Sequence, residues 1–205
     1  MLVNRNWKSI VKLTAKQVLY DYKILNCPAD HLTQILQGEG IVLIELNLNI
    51  DDDSCGLYCE EAGEKEIYIN SNMGEGRRNF TIAHELGHYF LNHELNDYCR
   101  LFRDLQNMDH KKDPQEVEAN YFAACLLMPS DLVLKVFNSF AAIVNRRLDT
   151  ALCIDSNPGD IKDLRLLIHS CQENFKVSKR AAFYRLINLK LLKVGDDFKI
   201  DLLYS

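Results

Sequence analysis

No stretch of this 205-residue chain approaches the roughly 18 consecutive apolar residues that a membrane-crossing helix needs. The N-terminus Met1-Leu2-Val3-Asn4-Arg5 lacks the apolar core and small-residue cleavage site of a secretory signal. The sequence therefore predicts a cytoplasmic protein with no membrane partner. The seven cysteines are an odd count and are scattered. Only Cys55 and Cys59 lie close together, and no second pair completes a four-cysteine zinc site, so reduced thiols are expected. There is no G-x-S-x-G to suggest an esterase nucleophile. Positive charge is not in excess: 24 Lys and Arg stand against 29 Asp and Glu, a net charge of −5 at pH 7. The chain as a whole thus has no general attraction to nucleic acid. Asp51-Asp52-Asp53-Ser54 is not followed by the Gly and Glu of an EF-hand loop, and reads as a solvated turn.

What is present points to a compact enzyme. The chain is 47% apolar, enough for a sizeable core, and its length fits one domain with a small appendage. The most informative stretch is His84-Glu85-Leu86-Gly87-His88, an H-E-x-x-H motif. Positions four apart on a helix are offset by only roughly 40° around the axis. His84 and His88 then present two imidazoles on one face, at a spacing that suits a single tetrahedral zinc ion. Glu85, one step round, can act as general base on a water beside that ion. Ile82, Leu86, Tyr89 and Phe90 recur as a separate, core-facing stripe. Gly87 costs about 1 kcal/mol against Ala in a helix, and its missing side chain lets a neighbouring element approach closely.

A catalytic site of this kind needs a third protein ligand and an open position. The candidate segment runs from Asp113, a predicted N-cap with Pro114 at the first helical position, to Pro129. Glu116 and Glu118 compete within it. Two apart on a helix, they point in well-separated directions and cannot both face one ion. Glu116 shares a face with Asn120 and Ala123, so Asn120 can hydrogen-bond a ligand histidine from behind and fix its ring. Glu116 is therefore the expected third ligand, with Ala119 and Ala123 leaving room for a helix alongside.

These two segments together resemble the ImmA/IrrE family of zinc metallopeptidases. The resemblance rests on His84-Glu85-Leu86-Gly87-His88, then Glu116, Ala119, Asn120, Phe122, Ala123, Leu126, Leu127, Met128 and Pro129. The strand-like Glu66–Asn70 and His93, five residues after His88, also fit. The resemblance covers residues 15 to 135 well and the rest loosely. It implies an α+β, zincin-like core with a gluzincin-like site: His84, His88 and Glu116 as Zn2+ ligands and Glu85 as base. It also implies a protein substrate, a helix-turn-helix repressor encoded nearby, cleaved to release mobile-element or stress-response genes.

The rest of the chain sorts around that core. Residues 14 to 37 read as a helix capped at Thr14, with Val18, Leu19, Tyr22 and Leu25 in register and a break at residues 27–30, followed by a second helix to Gly38. Residues 40–48, 57–59 and 66–70 read as strands, with Ala62-Gly63-Glu64 as a turn. The strand at 66–70 is the expected sheet edge on which a substrate peptide adds. Residues 94–113 read as a loop crossing near the site. His110 in that loop is read as a surface residue. His93 would lie about 180° round from His84 if the helix continued that far, so it is read as a structural or supporting residue and not as a ligand; as oxyanion donor the sequence leaves Tyr121 and His93 open. The predicted division is a metallopeptidase domain over 1–137 and a helical C-terminal segment over 138–205. Residues 160–169 look helical, and residues 175–186 resemble the second half of a helix-turn-helix capped by Ser178. Residues 189–194 and 198–203 suggest a small wing. Lys176, Lys179, Arg180, Arg185, Lys190 and Lys193 make this part locally basic. The alternative function is a metal-binding regulator without proteolysis, acting by protein or DNA binding; for this segment a packing or protein-docking role fits the acidic chain better than DNA binding.

Overall fold

The computed structural model describes residues 6–47, 56–93, 113–144, 151–154, 158–195 and 198–204. The acidic turn at 51–54, Cys55 and most of the loop at 94–113, with His110, lie outside them. The chain forms two compact units, Met1–Leu127 and Met128–Ser205. Among the described residues no single helix is long and apolar enough to cross a membrane.

The first unit opens with α1 (Trp7–Asp21), whose buried Val11, Ala15 and Val18 repeat at helical spacing. Thr14 is not its cap. The apolar repeat reaches upstream to Val11, and Thr14 sits mid-helix with its hydroxyl donating to the Ile10 carbonyl at 3.1 Å. The helix also stops before Leu25, which is 85% exposed. A 3-10 turn at Pro28–His31 leads into α2 (Leu32–Gly38), which ends at the predicted glycine. There the Tyr22 ring lies so close that a Cβ on Gly38 would stand 2.3 Å from its hydroxyl.

Three strands follow: β1 (Ile41–Leu46), β2 (Gly56–Glu61) and β3 (Glu64–Asn70). Ala62 and Gly63 both take positive φ, 54° and 88°, as a two-residue hairpin of type I′ demands. The sheet order is β1-β3-β2, with β1 parallel and β2 antiparallel to β3. The strand at 66–70 is therefore the centre of the sheet and not its edge. Alternation of buried Ile67 and Ile69 with Tyr68 reports that one face is covered. It carries no information about how many neighbours the backbone has. The edges are β1 and β2.

The sheet is followed by α3 (Glu75–Phe90) and α4 (Pro114–Leu127). Asp113 caps α4 as predicted, its carboxylate accepting from the Gln115 N–H at 2.9 Å. The two helices meet at Gly87: a Cβ there would stand 3.0 Å from Ala119 Cα and 3.1 Å from the Ala119 carbonyl oxygen. Ala119 and Ala123 are fully buried. Small residues on both sides thus bring the H-E-x-x-H helix and the glutamate helix into close contact. Sheet, motif helix and glutamate helix make the mixed α+β arrangement of a zincin-like core.

The second unit contains α5 (Ser130–Ile143), β4 (Leu152–Ile154), α6 (Pro158–Phe175), α7 (Lys179–Asn188) and β5 (Leu192–Val194). The expected boundary at 137/138 falls inside α5. Ser178 caps α7, its hydroxyl accepting from the Ala181 N–H at 3.2 Å. Among the described residues the predicted wing is not formed: β5 pairs in parallel with β4, and Ile200–Leu203 is a 3-10 turn. Nor is Arg185 part of a basic surface. It is 2% exposed, and its Nε donates to the Met128 carbonyl at 2.9 Å.

Candidate metal centre

One turn of α3 carries His84 and His88 on the face turned to α4, while Ile82 and Leu86 go into the core. The first turn of α4 supplies Glu116. The structure brings these three side chains together. His84 Nε2 and His88 Nε2 are 3.1 Å apart, and the Glu116 carboxylate lies 3.2 Å from the first and 3.3 Å from the second. The three form the one cluster of potential metal ligands among the described residues.

Three atoms that bind one zinc ion tetrahedrally at about 2.0–2.1 Å must stand roughly 3.3 Å from each other. The 3.1 Å between the two histidine nitrogens is close to that edge, and the Glu116 carboxylate straddles the pair, Oε2 at 3.2 Å from His84 and Oε1 at 3.3 Å from His88. The proton inventory points the same way. Asn120 Nδ2 donates to the Glu116 carbonyl at 2.8 Å, so its Oδ1 faces His84 Nδ1, 3.2 Å away. An amide oxygen only accepts. His84 Nδ1 therefore carries the proton, and Nε2 turns a lone pair towards the other two ligand atoms. Glu116 brings a second acceptor to the same point. Acceptors that converge without a donor require a cation or extra protons, and the residues present fit a divalent metal.

The electrostatics record that requirement. Burial opposes charge on His84, but its hydrogen bond to Glu116 and the charges of Glu85 and Glu116 outweigh burial and raise its pKa above the ordinary histidine value. Burial would raise Glu116, yet its hydrogen bonds to His84 and His88 hold its carboxyl far below the usual carboxylate range. Glu85 is the opposite case. It is buried, burial pushes its carboxyl upward, and the opposing pull of His84 and His88 does not cancel that. Two acids in one cleft thus differ in proton affinity, Glu116 held ionised and Glu85 made more basic.

Glu85 is held by a strand that sequence reasoning did not single out. Its Oε2 accepts from the Tyr58 backbone N–H at 2.8 Å. Its Oε1 fills the space beside Gly56, where a Cβ would stand 2.7 Å away. Edge strand β2 therefore passes directly along the base. Glycine at the start of a strand was the available signal, since it often marks a close approach.

The two residues left open as oxyanion donors are engaged elsewhere. Tyr121 lies five positions beyond Glu116, roughly 140° round the helix, and its ring packs edge-on against Trp7 with centroids 5.4 Å apart. His93 does not continue α3. The helix ends at Phe90, Asn92 adopts a left-handed φ of 50°, and the His93 N–H returns to the His88 carbonyl at 3.1 Å. This cap brings His93 Nδ1 to 3.0 Å from His88 Nδ1. Its other nitrogen, Nε2, lies 3.4 Å from Glu118.

Comparison with known proteins agrees with this geometry. The family model of the IrrE N-terminal-like domain, Peptidase M78, matches residues 37–186. The chain is 32% identical over 136 residues to a protein of Bacillus phage phi105 described as uncharacterized immunity region protein 2. That alignment spans 66% of this chain and 79% of the phage protein.

Proposed function

Because the chain belongs to the M78 peptidase family, that of the IrrE N-terminal-like domain, we propose that it is a zinc-dependent endopeptidase that cleaves a helix-turn-helix repressor of a mobile element. The convergence of His84 Nε2, His88 Nε2 and the Glu116 carboxylate, with a carboxylate oxygen within 3.3 Å of each histidine, carries the reading. These residues hold the ion, and Asn120 fixes the His84 ring. Bound there, zinc activates water and polarises the scissile carbonyl. Glu85, made more basic by burial, takes the proton of the attacking water and passes it to the leaving amine. The Tyr58 N–H holds that carboxylate in place. The substrate peptide lies extended along β2, the sheet edge that reaches the base, by strand addition.

The choice of substrate draws on the phage relative, whose name places it in an immunity region. A protein acting there on a repressor would relieve immunity.

One observation favours the second reading, a regulator that binds without cleaving. Helix α7, the turn after it and β5 expose Arg180, Lys190 and Lys193. An intact Glu85 beside the metal ligands favours the first, since a site without chemistry has no need of a base. Incubation of wild type and Glu85→Gln with a helix-turn-helix repressor encoded nearby separates them. The peptidase reading predicts cleavage by wild type, and loss of cleavage with retained zinc in Glu85→Gln. A wild type that binds the repressor and leaves it intact when loaded with zinc, manganese or cobalt would establish the regulator.

A further inference from the structure

Each histidine of the metal centre has two ring nitrogens, and only one can bind the ion. For His84 the choice is made by Asn120. His88 has no amide behind it. It has His93, whose Nδ1 stands 3.0 Å from His88 Nδ1, and behind His93 stands Glu118, whose Oε2 is 3.4 Å from His93 Nε2. We infer that Glu118 and His93 form a positioning relay that sets the tautomer and ring orientation of His88 for metal binding. This inference rests on the metal site proposed above.

The proton placement follows from one end of the chain. An ionised carboxylate can only accept, so His93 Nε2 carries a hydrogen. A neutral imidazole with a proton on Nε2 has a lone pair on Nδ1. That lone pair needs a donor, and the atom facing it is His88 Nδ1. His88 is thereby held as the Nδ1–H tautomer, and its Nε2 lone pair faces His84 Nε2 and Glu116. The outcome for His88 is the one Asn120 produces for His84, reached by a longer route. Carboxylates and carbonyls behind metal-bound histidines act in this way generally, and their loss typically costs about 10–100-fold in metal affinity.

Local structure shows how the relay is built. Leu91 caps α3, and the left-handed Asn92 folds the chain back so that His93 lies on the preceding turn. The His93 side chain is 5% exposed, and its ring packs edge-on against His88 with centroids 4.9 Å apart. Glu118 lies two residues from Glu116 and so points to a different side of α4. One helix thereby supplies a metal ligand and, from a different side, the anchor of the relay. The competition between Glu116 and Glu118 resolves into two roles.

The test uses the full chain and zinc alone. Zinc affinity is measured by chelator competition for wild type, His93→Phe, His93→Asn, Glu118→Gln and Glu116→Ala. Histidine tautomers are read by nitrogen-15 NMR of the zinc-loaded wild type. The relay predicts a loss of about 10–100-fold in His93→Phe. It predicts substantial recovery in His93→Asn, whose amide oxygen can again accept from His88, and a smaller loss in Glu118→Gln, which keeps an acceptor without the charge. The NMR spectrum should show His88 protonated on Nδ1 and His93 on Nε2. Should His93→Phe not fold, the wild-type tautomers decide alone. His93 protonated on Nδ1, or folded His93 and Glu118 variants that bind zinc as wild type does, would overturn the relay. If Glu116→Ala also keeps its zinc, the metal site itself is misassigned; if Glu116→Ala loses zinc while His93→Phe keeps it, only the relay fails.

Discussion

Gly87→Ala sets two effects of known sign against each other at the contact that builds the site. Gly87 lies inside α3, between His84 and His88, and alanine there should favour the helix by about 1 kcal/mol. The added methyl would meet Ala119 Cα at 3.0 Å, the Ala119 carbonyl oxygen at 3.1 Å and Phe122 Cδ1 at 3.2 Å. Two of those atoms are backbone of α4, so no rotamer change relieves the clash. The helices must move apart by a few tenths of an ångström, and overpacking of this kind costs about 1–3 kcal/mol. The net expectation is a loss of about 0–2 kcal/mol in stability. Metal binding should suffer as well, because His84 and His88 ride on α3 and Glu116 on α4. Each 1.4 kcal/mol lost from binding is about a tenfold loss of affinity, and about that much is expected. Urea unfolding of metal-free wild type and variant, with chelator competition for zinc, measures both. A variant stabilised by about 1 kcal/mol with unchanged zinc affinity would show that helix propensity wins and that the close approach of α4 does not set the site.

Three further outcomes follow from the same geometry. Gly56→Ala places a Cβ 2.5 Å from Thr81 Cγ2 and 2.7 Å from Glu85 Oε1; it should cut cleavage at least tenfold while zinc stays bound, and full activity would show that β2 does not position the base. His84 has a raised pKa, so its charged form contributes stability to the metal-free fold below the unfolded-state value near about 6.5, lost as pH rises through the folded value. Zinc needs the neutral ring, so its affinity runs oppositely, weakening as pH falls through that raised value; calorimetry at neutral pH in buffers of different ionisation enthalpy should show proton release, and buffer-independent heats would contradict it. Arg185→Met removes the donor to the buried Met128 carbonyl and should cost about 1–3 kcal/mol in urea unfolding; a change below about 0.5 kcal/mol would mean the carbonyl is satisfied without it.

Local signals in the sequence singled out residues that the fold brings together, and long-range pairing supplied what those signals lacked. The spacing of His84 and His88, the Asp113-Pro114 start of α4 and the small residues Gly87, Ala119 and Ala123 are each legible within a few turns of helix. They placed Glu116 and Asn120 beside the histidines. The position of β3 was not legible, because Ile67 and Ile69 alternate with Tyr68 whether the strand has one neighbour or two. The start of α1 was missed because Thr14 satisfies a hydroxyl mid-helix as readily as it caps. The reach of His93 to His88 was not legible, because helical spacing says nothing of a chain that turns back after Phe90. Asn92 was the clue, since asparagine tolerates the left-handed conformation that ends helices. Gly56 and Tyr58 serve the site through backbone and empty space, which leave little mark in a sequence.

The central claim is that His84, His88 and Glu116 together hold one zinc ion. Its most direct test is metal content after purification and dialysis, for wild type and for His84→Ala, His88→Ala and Glu116→Ala, with Glu85→Gln as the control that removes the base and keeps the ligands. The account predicts one equivalent of zinc in wild type and in Glu85→Gln, and nearly none in the three ligand variants, each of them folded by circular dichroism. Zinc retained at the wild-type level in folded Glu116→Ala or His84→Ala would contradict it.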